Sequence, residues 1–260
     1  MSVVLFDMDG TITKHRSKID TSMVRKLISL LEVSKVGIVS GSKFEDICDQ
    51  CGDLWRSQGL KIPTLFKNLT LMPCNGTQVY RYQTPLTVHP KDSWTLYKSH
   101  DIASAIGAKQ FQKLLRQIIR SQLEIVTYDD YLGDFKIQPD FIDYRGSLIN
   151  WCPIGRSSSH VSRSAFVRLD KSKKIRDSML KMLNAYLIGC GFDVGSITIA
   201  KGGQTSVDIF PKGWDKRFAL KYYNEKPDDI YFIGDACNPG ENDYELYINQ
   251  KRYGKGYHTK

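Results

Sequence analysis

The sequence predicts an α/β protein whose parallel-sheet core is interrupted by an inserted α+β domain. Near both ends of the chain, short apolar runs alternate with amphipathic helical segments, and this alternation is typical of a parallel sheet. In the middle of the chain the pattern changes to hairpins mixed with helices. We therefore expect a core built from residues 1–79 and 213–260, with residues 80–212 as the insert.

The first part of the core alternates strand and helix in order. Three short apolar runs predict strands, at residues 3–6, 35–40 and 69–72. Asp20 can cap a helix whose apolar residues recur at helical spacing, and Ser42 with Glu45 has the spacing of a capping box for a second helix. Each strand is thus followed by a polar loop or a helix start.

The pattern changes after Asn75-Gly76, where residues 79–82 alternate in the manner of an antiparallel strand. Apolar stripes predict helices around residues 111–119 and 175–188, and glycine-containing turns predict hairpins at residues 141–152 and 197–210. The core pattern resumes with a helix from about Lys216 and a strand that ends before Asp235.

Composition excludes several classes of protein. The 260 residues include 41% hydrophobic and 25% charged residues, values typical of a globular protein rather than of a disordered or collagen-like chain. No apolar run approaches the roughly 20 residues of a membrane span, and two aspartates in the first nine residues argue against a signal peptide. We expect a cytoplasmic protein that does not bind membranes.

Charge and cysteine content narrow the function less. The net charge of +9 suits either nucleic-acid binding or a site for a phosphorylated small molecule. The six cysteines are expected as free thiols. Cys48 and Cys51 have redox or zinc spacing, but with no second pair nearby they are expected to pack on one helix face.

The strongest chemical signal is the pair Asp7 and Asp9 in the segment Asp7-Met8-Asp9-Gly10-Thr11, directly after an apolar strand. Ligands of open α/β sheets bind where strands end. One carboxylate there can attack phosphorus, and the other can exchange a proton with the leaving or attacking oxygen. Mg²⁺ prefers such oxygen ligands and neutralises phosphate charge.

Three weaker signals lie at other predicted strand ends or helix starts. Ser40 precedes a helix N-terminus and suits a phosphate oxygen; Lys216 could pair with phosphate; Asp235 opens an acidic loop that could hold a metal. Taken singly, Ser40 is equally consistent with a helix cap, Lys216 with a solvated lysine and Asp235 with a surface loop. Their order along the chain favours one site.

These segments resemble a known family. FDMDGT, SGS, GWDK and the GDACNPGEND loop are similar, in order, to the four motifs of the haloacid dehalogenase-like phosphotransferases. PIGRSSS at 153–159 and GGQTSVDIFPKGWDKR at 202–217 resemble the eukaryotic-type phosphomannomutases over nearly the whole chain. The resemblance implies a HAD-like core with an inserted cap domain for substrate binding.

The resemblance also implies roles. Asp7 would be the nucleophile and Asp9 the general acid and base, with Mg²⁺ held by Asp7, the Asp9 backbone carbonyl and Asp235. Sugar-phosphate binding falls on six residues, which are Arg16, Arg145, Arg156, Arg163, Ser206 and Asp208. From the residues alone, guanidinium groups near one hairpin suit the second phosphate of a hexose bisphosphate. Ser206 and Asp208 alternate on one strand and so share a face.

The sequence departs from the family at four places, one of which is a longer segment at residues 53–68. Cys74 stands where members usually have a glutamate, Asn249 where they have an acidic residue, and the chain ends at Lys260 where they carry a further helix. These departures predict a divergent member with a shortened C-terminus. None affects Asp7, Asp9 or the arginines.

The function implied is that of an isomerase which interconverts mannose 6-phosphate and mannose 1-phosphate, activated by a hexose 1,6-bisphosphate, for GDP-mannose synthesis. Two alternatives stay open at this point. The first is a sugar-phosphate phosphatase of the same fold, in which water attacks the phosphoenzyme. The second is a basic nucleic-acid-binding protein, against which stands the absence of any recognised motif. The family also implies a homodimer formed through the cap.

Overall fold

The computed structural model describes residues 1–56, 64–83, 89–127 and 135–259. Within these ranges the strands are β1 (Val3–Phe6), β2 (Lys35–Val39), β3 (Leu69–Met72), β4 (Gln78–Tyr82), β5 (Trp94–Ser99), β6 (Ile142–Tyr144), β7 (Ile149–Trp151), β8 (Ile197–Gly202), β9 (Ser206–Pro211), β10 (Ile230–Gly234) and β11 (Gly256–His258). The α-helices are α1 (Thr21–Val33), α2 (Phe44–Cys51), α3 (Asp53–Arg56), α4 (Ile102–Ile106), α5 (Ala108–Thr127), α6 (His160–Lys173), α7 (Ile175–Gly189) and α8 (Tyr244–Lys251). Across these ranges, every helix is too short or too polar to cross a bilayer.

The chain divides into two compact units, and the first joins Met1–Ser99 with Trp214–Lys260. Its seven-stranded sheet has the order β11-β10-β1-β2-β3-β4-β5. The five strands from β11 to β3 are parallel, whereas β4 and β5 are antiparallel to their neighbours. The predicted α/β class with a parallel-sheet core is therefore confirmed.

The expected boundary at residue 80 needs correction. Thr70 of β3 pairs with Arg81 of β4, and β4 pairs in turn with β5, so residues 80–99 extend the first sheet. Backbone hydrogen bonds along both sides of β4 fix this segment in the first unit. The second unit is His100–Gly213.

Apolar residues cover both faces of the first sheet. Val3 and Leu5 of β1 pack with Phe232 of β10 and Leu246 of α8. On the other side, helix α1 packs against β2 through Leu27. Burial on both faces explains why these strands read as apolar runs rather than as alternating sequences.

The predicted helix cap was confirmed for α1 but not for α2. The Asp20 carboxylate accepts a 2.8 Å hydrogen bond from Met23 N–H and caps α1, as predicted. The Ser42–Glu45 capping box was wrong, because α2 starts later and Asp46 accepts the reciprocal bond from Lys43 N–H at 3.3 Å. The segment from Lys216 is a 3₁₀ helix rather than an α-helix.

The second unit contains a four-stranded antiparallel sheet of order β6-β7-β9-β8. Both predicted hairpins are present, while α6 was missed. One face of this sheet is apolar and carries Ile149, Trp151 and Val207 into the unit's core. The opposite face is polar at the sheet centre, where Asn150 of β7 lies directly opposite Asp208 of β9.

Candidate active site

Three carboxylates gather at the carboxyl edge of the first sheet. Asp7 follows β1 directly and is buried, and its N–H donates to Ile233 O of β10 at 2.9 Å. Asp235 follows β10, and Asp243 lies fully buried in the loop beyond it. Because β1 and β10 are parallel neighbours, their ends place these acids together. One oxygen from each of the three lies within 4.8 Å of the others.

Lys216 is buried within this cluster. Its ammonium donates to the carboxylates of both Asp7 and Asp243, and its side chain has no exposed surface. The preceding Asp215 caps the 3₁₀ helix by accepting from Arg217 N–H at 3.0 Å, which fixes the backbone that carries the lysine. With all three acids ionised, the cluster holds three negative charges and one positive charge.

The cluster shifts the pKa of several of its members. Burial raises the pKa of Asp7 to about 7; the Asp243 carboxylate adds to this rise and the Lys216 ammonium opposes it. Burial and the nearby Asp243 also raise the pKa of Asp235. Burial works to lower the pKa of Lys216, but Asp243 and Asp7 more than offset it, so that pKa is raised. Lys216 is therefore a fixed cation at neutral pH.

The donor set fits a hard divalent cation. Only carboxylate oxygens converge among the grouped ligand atoms, and the cluster has an excess of two negative charges that a dication would neutralise. Of the three expected ligands, Asp7 and Asp235 belong to this cluster; the third was the backbone carbonyl of Asp9, which is not among the grouped side-chain atoms. Asp243 is an additional candidate ligand that the sequence-based prediction did not assign, although it lies in the acidic loop singled out above.

Two glycines make room for this arrangement. Gly10 has φ of +96°, and a Cβ there would lie 2.1 Å from Asp235 Oδ2. A Cβ on Gly234 would lie 2.4 Å from Asp243 Oδ2. Because real Cβ atoms do not approach so closely, a larger residue at either position would displace a carboxylate of the cluster.

Asp9 has a different environment from Asp7. It lies in the loop after β1, is half-buried, and accepts a 2.8 Å hydrogen bond from the backbone N–H of Arg16. Arg16 is exposed and adopts a left-handed conformation with φ of 53°. The loop thus brings the backbone of the predicted substrate residue Arg16 against the predicted acid–base residue.

Ser40 lies at the same edge of the sheet, immediately after β2, which neighbours β1. Its side chain is buried, and its Oγ accepts from Ser42 N–H at 3.1 Å. That bond leaves the Ser40 hydroxyl hydrogen available for a phosphate oxygen.

The other three predicted arginines lie in the second unit. Arg145 is buried and donates from Nε to Asp143 Oδ2 at 2.9 Å. Arg156 Nε lies 3.8 Å from the same oxygen. Asp143 therefore brings these two guanidinium groups together. Arg163 is buried on α6.

Ser206 and Asp208 share one face of β9 and are joined by a residue that the sequence prediction missed. Asn150 Nδ2 donates to Ser206 Oγ at 2.8 Å and to Asp208 Oδ1 at 2.5 Å. Burial raises the pKa of Asp208, while the Arg145 guanidinium and the Asn150 hydrogen bond oppose the rise. Only alternation along β7 could have indicated Asn150, because no motif surrounds it.

Comparison with known proteins decides the family. The sequence model described as "Eukaryotic phosphomannomutase" matches residues 23–259. The chain belongs to this family. It is 32% identical over 257 residues to a protein named probable phosphomannomutase from Caenorhabditis elegans, covering 97% of this chain and 89% of that one. It is also 32% identical over 251 residues to phosphomannomutase 1 of Homo sapiens, covering 96% and 84% of the two chains.

Solved structures support the same fold. An IMP-bound IMP-nucleotidase mutant from Plasmodium falciparum superposes with a TM-score of 0.64 at 14% identity. The match covers 99% of this chain but only 62% of the nucleotidase, so this chain spans less than two thirds of that protein. At this identity the likeness concerns the fold alone.

Proposed function

We propose that this chain is a Mg²⁺-dependent phosphomannomutase that interconverts mannose 6-phosphate and mannose 1-phosphate through an aspartyl phosphate on Asp7. The observation that carries the proposal is the buried Asp7, held by Lys216 at the end of β1 beside two further carboxylates. The family to which the chain belongs adds the substrate class.

Asp7 is the proposed nucleophile. One of its oxygens attacks phosphorus of a hexose 1,6-bisphosphate, the bond from phosphorus to the sugar oxygen breaks, and the phosphoryl group stays on Asp7. The Lys216 ammonium favours the ionised form of Asp7 against the effect of burial. A Mg²⁺ ion bound by Asp7, Asp235 and Asp243 would supply positive charge against the carboxylates and the phosphoryl oxygens.

Asp9 is the proposed proton carrier. It gives its proton to the sugar oxygen that leaves phosphorus. When a hexose monophosphate presents its free hydroxyl to the phosphorylated Asp7, Asp9 takes the hydroxyl proton, the new oxygen–phosphorus bond forms, and the bond from phosphorus to Asp7 breaks, which gives a bisphosphate. The bisphosphate then turns so that its other phosphoryl group passes to Asp7, and the isomeric monophosphate leaves. The half-buried position of Asp9 leaves its carboxyl group accessible for both steps.

The second unit would hold the parts of the substrate that do not react. Arg145, Arg156 and Arg163 bind the non-reacting phosphate in this proposal, with Arg16 as a further sugar-phosphate residue. Ser206 and Asp208 bind sugar hydroxyls, and Ser40 of the first unit binds the reacting phosphate together with the cation. As the family resemblance implies, the enzyme would act as a homodimer formed through the second unit.

The test is an assay that scores isomerisation and hydrolysis together. Mannose 1-phosphate is supplied with Mg²⁺, with and without glucose 1,6-bisphosphate, and both mannose 6-phosphate and free phosphate are measured. Isomer formation that depends on the bisphosphate supports the mutase, whereas free phosphate without isomer supports a phosphatase. The control is Asp7→Asn, which has nearly the same shape but is a poor nucleophile; activity within about tenfold of the unmodified protein removes Asp7 from this role.

A further inference from the structure

Asn150 occupies the centre of the polar face of the second sheet. In the strand register it lies directly between Asp143 of β6 and Asp208 of β9. The residue is 2% exposed. An uncharged amide therefore separates two aspartates across three neighbouring strands, where a third carboxylate would be repelled.

The Asn150 amide donates to two acceptors on β9. Its two N–H groups point one to Ser206 Oγ and one to Asp208 Oδ1. The Ser206 hydroxyl donates its own hydrogen to Gly202 O at 2.7 Å. With that hydrogen engaged, Ser206 offers a lone pair only, and an ionised Asp208 offers lone pairs only.

The position of the Asp208 carboxylate is restricted from the other side as well. A Cβ on Gly202 would lie 2.4 Å from the carboxyl group of Asp208, so glycine is needed for that group to lie where it does. Asn150 and Gly202 together leave Asp208 little freedom to turn.

A purely structural role accounts poorly for this residue. Among the residues that the structure describes, Asn150 Oδ1 has no hydrogen-bond partner, although it is buried. A buried acceptor without a donor destabilises the fold, and an apolar side chain would avoid that penalty. The amide is needed for its two donors.

We propose that Asn150 is a positioning residue which fixes Ser206 and Asp208 as paired hydrogen-bond acceptors, so that this face of the second unit selects ligands carrying sugar hydroxyl donors. The inference rests on the proposed function. It adds that discrimination between a sugar phosphate and its deoxy analogue depends on Asn150, which touches no substrate itself. A site built to pair with a hydroxyl strongly rejects an analogue that lacks it, because its own polar groups are then left unpaired.

The test compares Asn150→Asp with the unmodified enzyme. This variant keeps the side-chain shape, removes both N–H donors and sets a carboxyl group against Asp208. Substrates are mannose 1-phosphate and its 2-, 3- and 4-deoxy analogues. We expect kcat/KM for mannose 1-phosphate to fall about 10- to 100-fold, while the most discriminated deoxy analogue loses much less, so that the ratio between them collapses.

Asn150→Ala serves as a second variant without the added charge, and we expect the same collapse. The matched control is Gln122→Glu, another buried amide beside β7, which accepts from Trp151 Nε1 at 2.7 Å and donates to Pro153 O at 2.9 Å. It contacts the strand through the opposite face, so its loss should lower stability and leave the ratio unchanged.

Binding of the same four ligands by calorimetry gives a readout independent of turnover. An unmodified protein that binds mannose 1-phosphate but does not isomerise it would contradict the proposed function, and the ratio of binding constants would still report on Asn150. An Asn150 variant that folds and keeps the original ratio overturns the positioning role. Failure of both variants to fold would also reject it in favour of a structural role.

Discussion

The pKa of Asp7 leads to a prediction about stability in the absence of Mg²⁺. Burial raises this pKa from 3.8 to about 7 in the folded protein. The folded state therefore binds a proton more tightly than the unfolded chain, and the stabilisation from that proton is lost as pH rises through the folded pKa. Lys216 does not make the free energy of unfolding depend on pH in this range, because it stays charged below pH 9 in both the folded and the unfolded protein.

The magnitude follows from proton linkage. With pKa values of 3.8 unfolded and about 7 folded, the Asp7 contribution to the free energy of unfolding falls by about 2 kcal/mol between pH 5 and pH 7. Mg²⁺ at 100 times its dissociation constant would add about 2.7 kcal/mol to the free energy of unfolding at pH 7. It would also lower the pKa of Asp7 and so reduce the slope of the free energy of unfolding against pH.

Urea unfolding at pH 5 and pH 7, in chelator and in Mg²⁺, measures both effects. Asp7→Asn is the matched control, because it keeps the shape and removes the titration while the other acids still titrate. The difference in slope between the two proteins in chelator isolates Asp7. Equal slopes in the two proteins would refute the reasoning, and so would a slope that Mg²⁺ leaves unchanged.

Three further perturbations test other parts of the site. Lys216→Met leaves buried carboxylates without their ammonium partner. We therefore expect the free energy of unfolding at pH 7 to fall by roughly 3–5 kcal/mol and turnover to stop. A variant whose stability in urea is unchanged would contradict the buried ion pairs. Gly10→Ala forces a Cβ toward Asp235 and should weaken Mg²⁺ binding in calorimetry, whereas Ser2→Ala, an exchange away from the cluster, should not; equal affinities would count against Asp235 as a ligand. Arg156→Ala should lower substrate affinity about 10- to 100-fold. It should also raise the ratio of phosphate released to isomer formed, because water competes better when the bisphosphate is poorly held. An unchanged ratio with near-normal rates would remove Arg156 from the site.

Much of the fold could be predicted because its strands and helices carry strong local signals. The runs at β1, β2, β3 and β10 are apolar on both faces, which marks a covered parallel sheet. The boundary of the insert could not be found in the same way. Antiparallel strands such as β4 and β5 are consistent with either domain, and only their pairing partner assigns them. Likewise, the start of α2 depended on whether Glu45 or Asp46 reached back to the helix start, which spacing alone does not decide.

The candidate site was predicted unevenly for a similar reason. Asp7, Ser40 and Asp235 end strands, and the carboxyl ends of adjacent parallel strands meet at one edge whatever the details of the loops. Asp243 reaches the cluster through loop geometry, since its carboxylate accepts from Ala236 N–H at 3.1 Å. Asn150 matters through cross-strand register, which a single sequence does not reveal.

The contrast between Asp7 and Asp9 gives the strongest physical argument for two separate roles. Two residues apart in sequence, they have different surroundings: Asp7 is buried against an ammonium, whereas Asp9 is half-buried and held by a backbone N–H. A nucleophile benefits from exclusion of water and from a nearby fixed cation that keeps it ionised. A group that must give and take a proton in the same cycle needs access to the changing sugar oxygen and must not be committed to a salt bridge. With the two roles exchanged, Asp7 would have to take up a proton at each turnover while it is paired with the Lys216 ammonium, which favours its ionised form. This argument favours Asp7 as nucleophile and Asp9 as proton carrier.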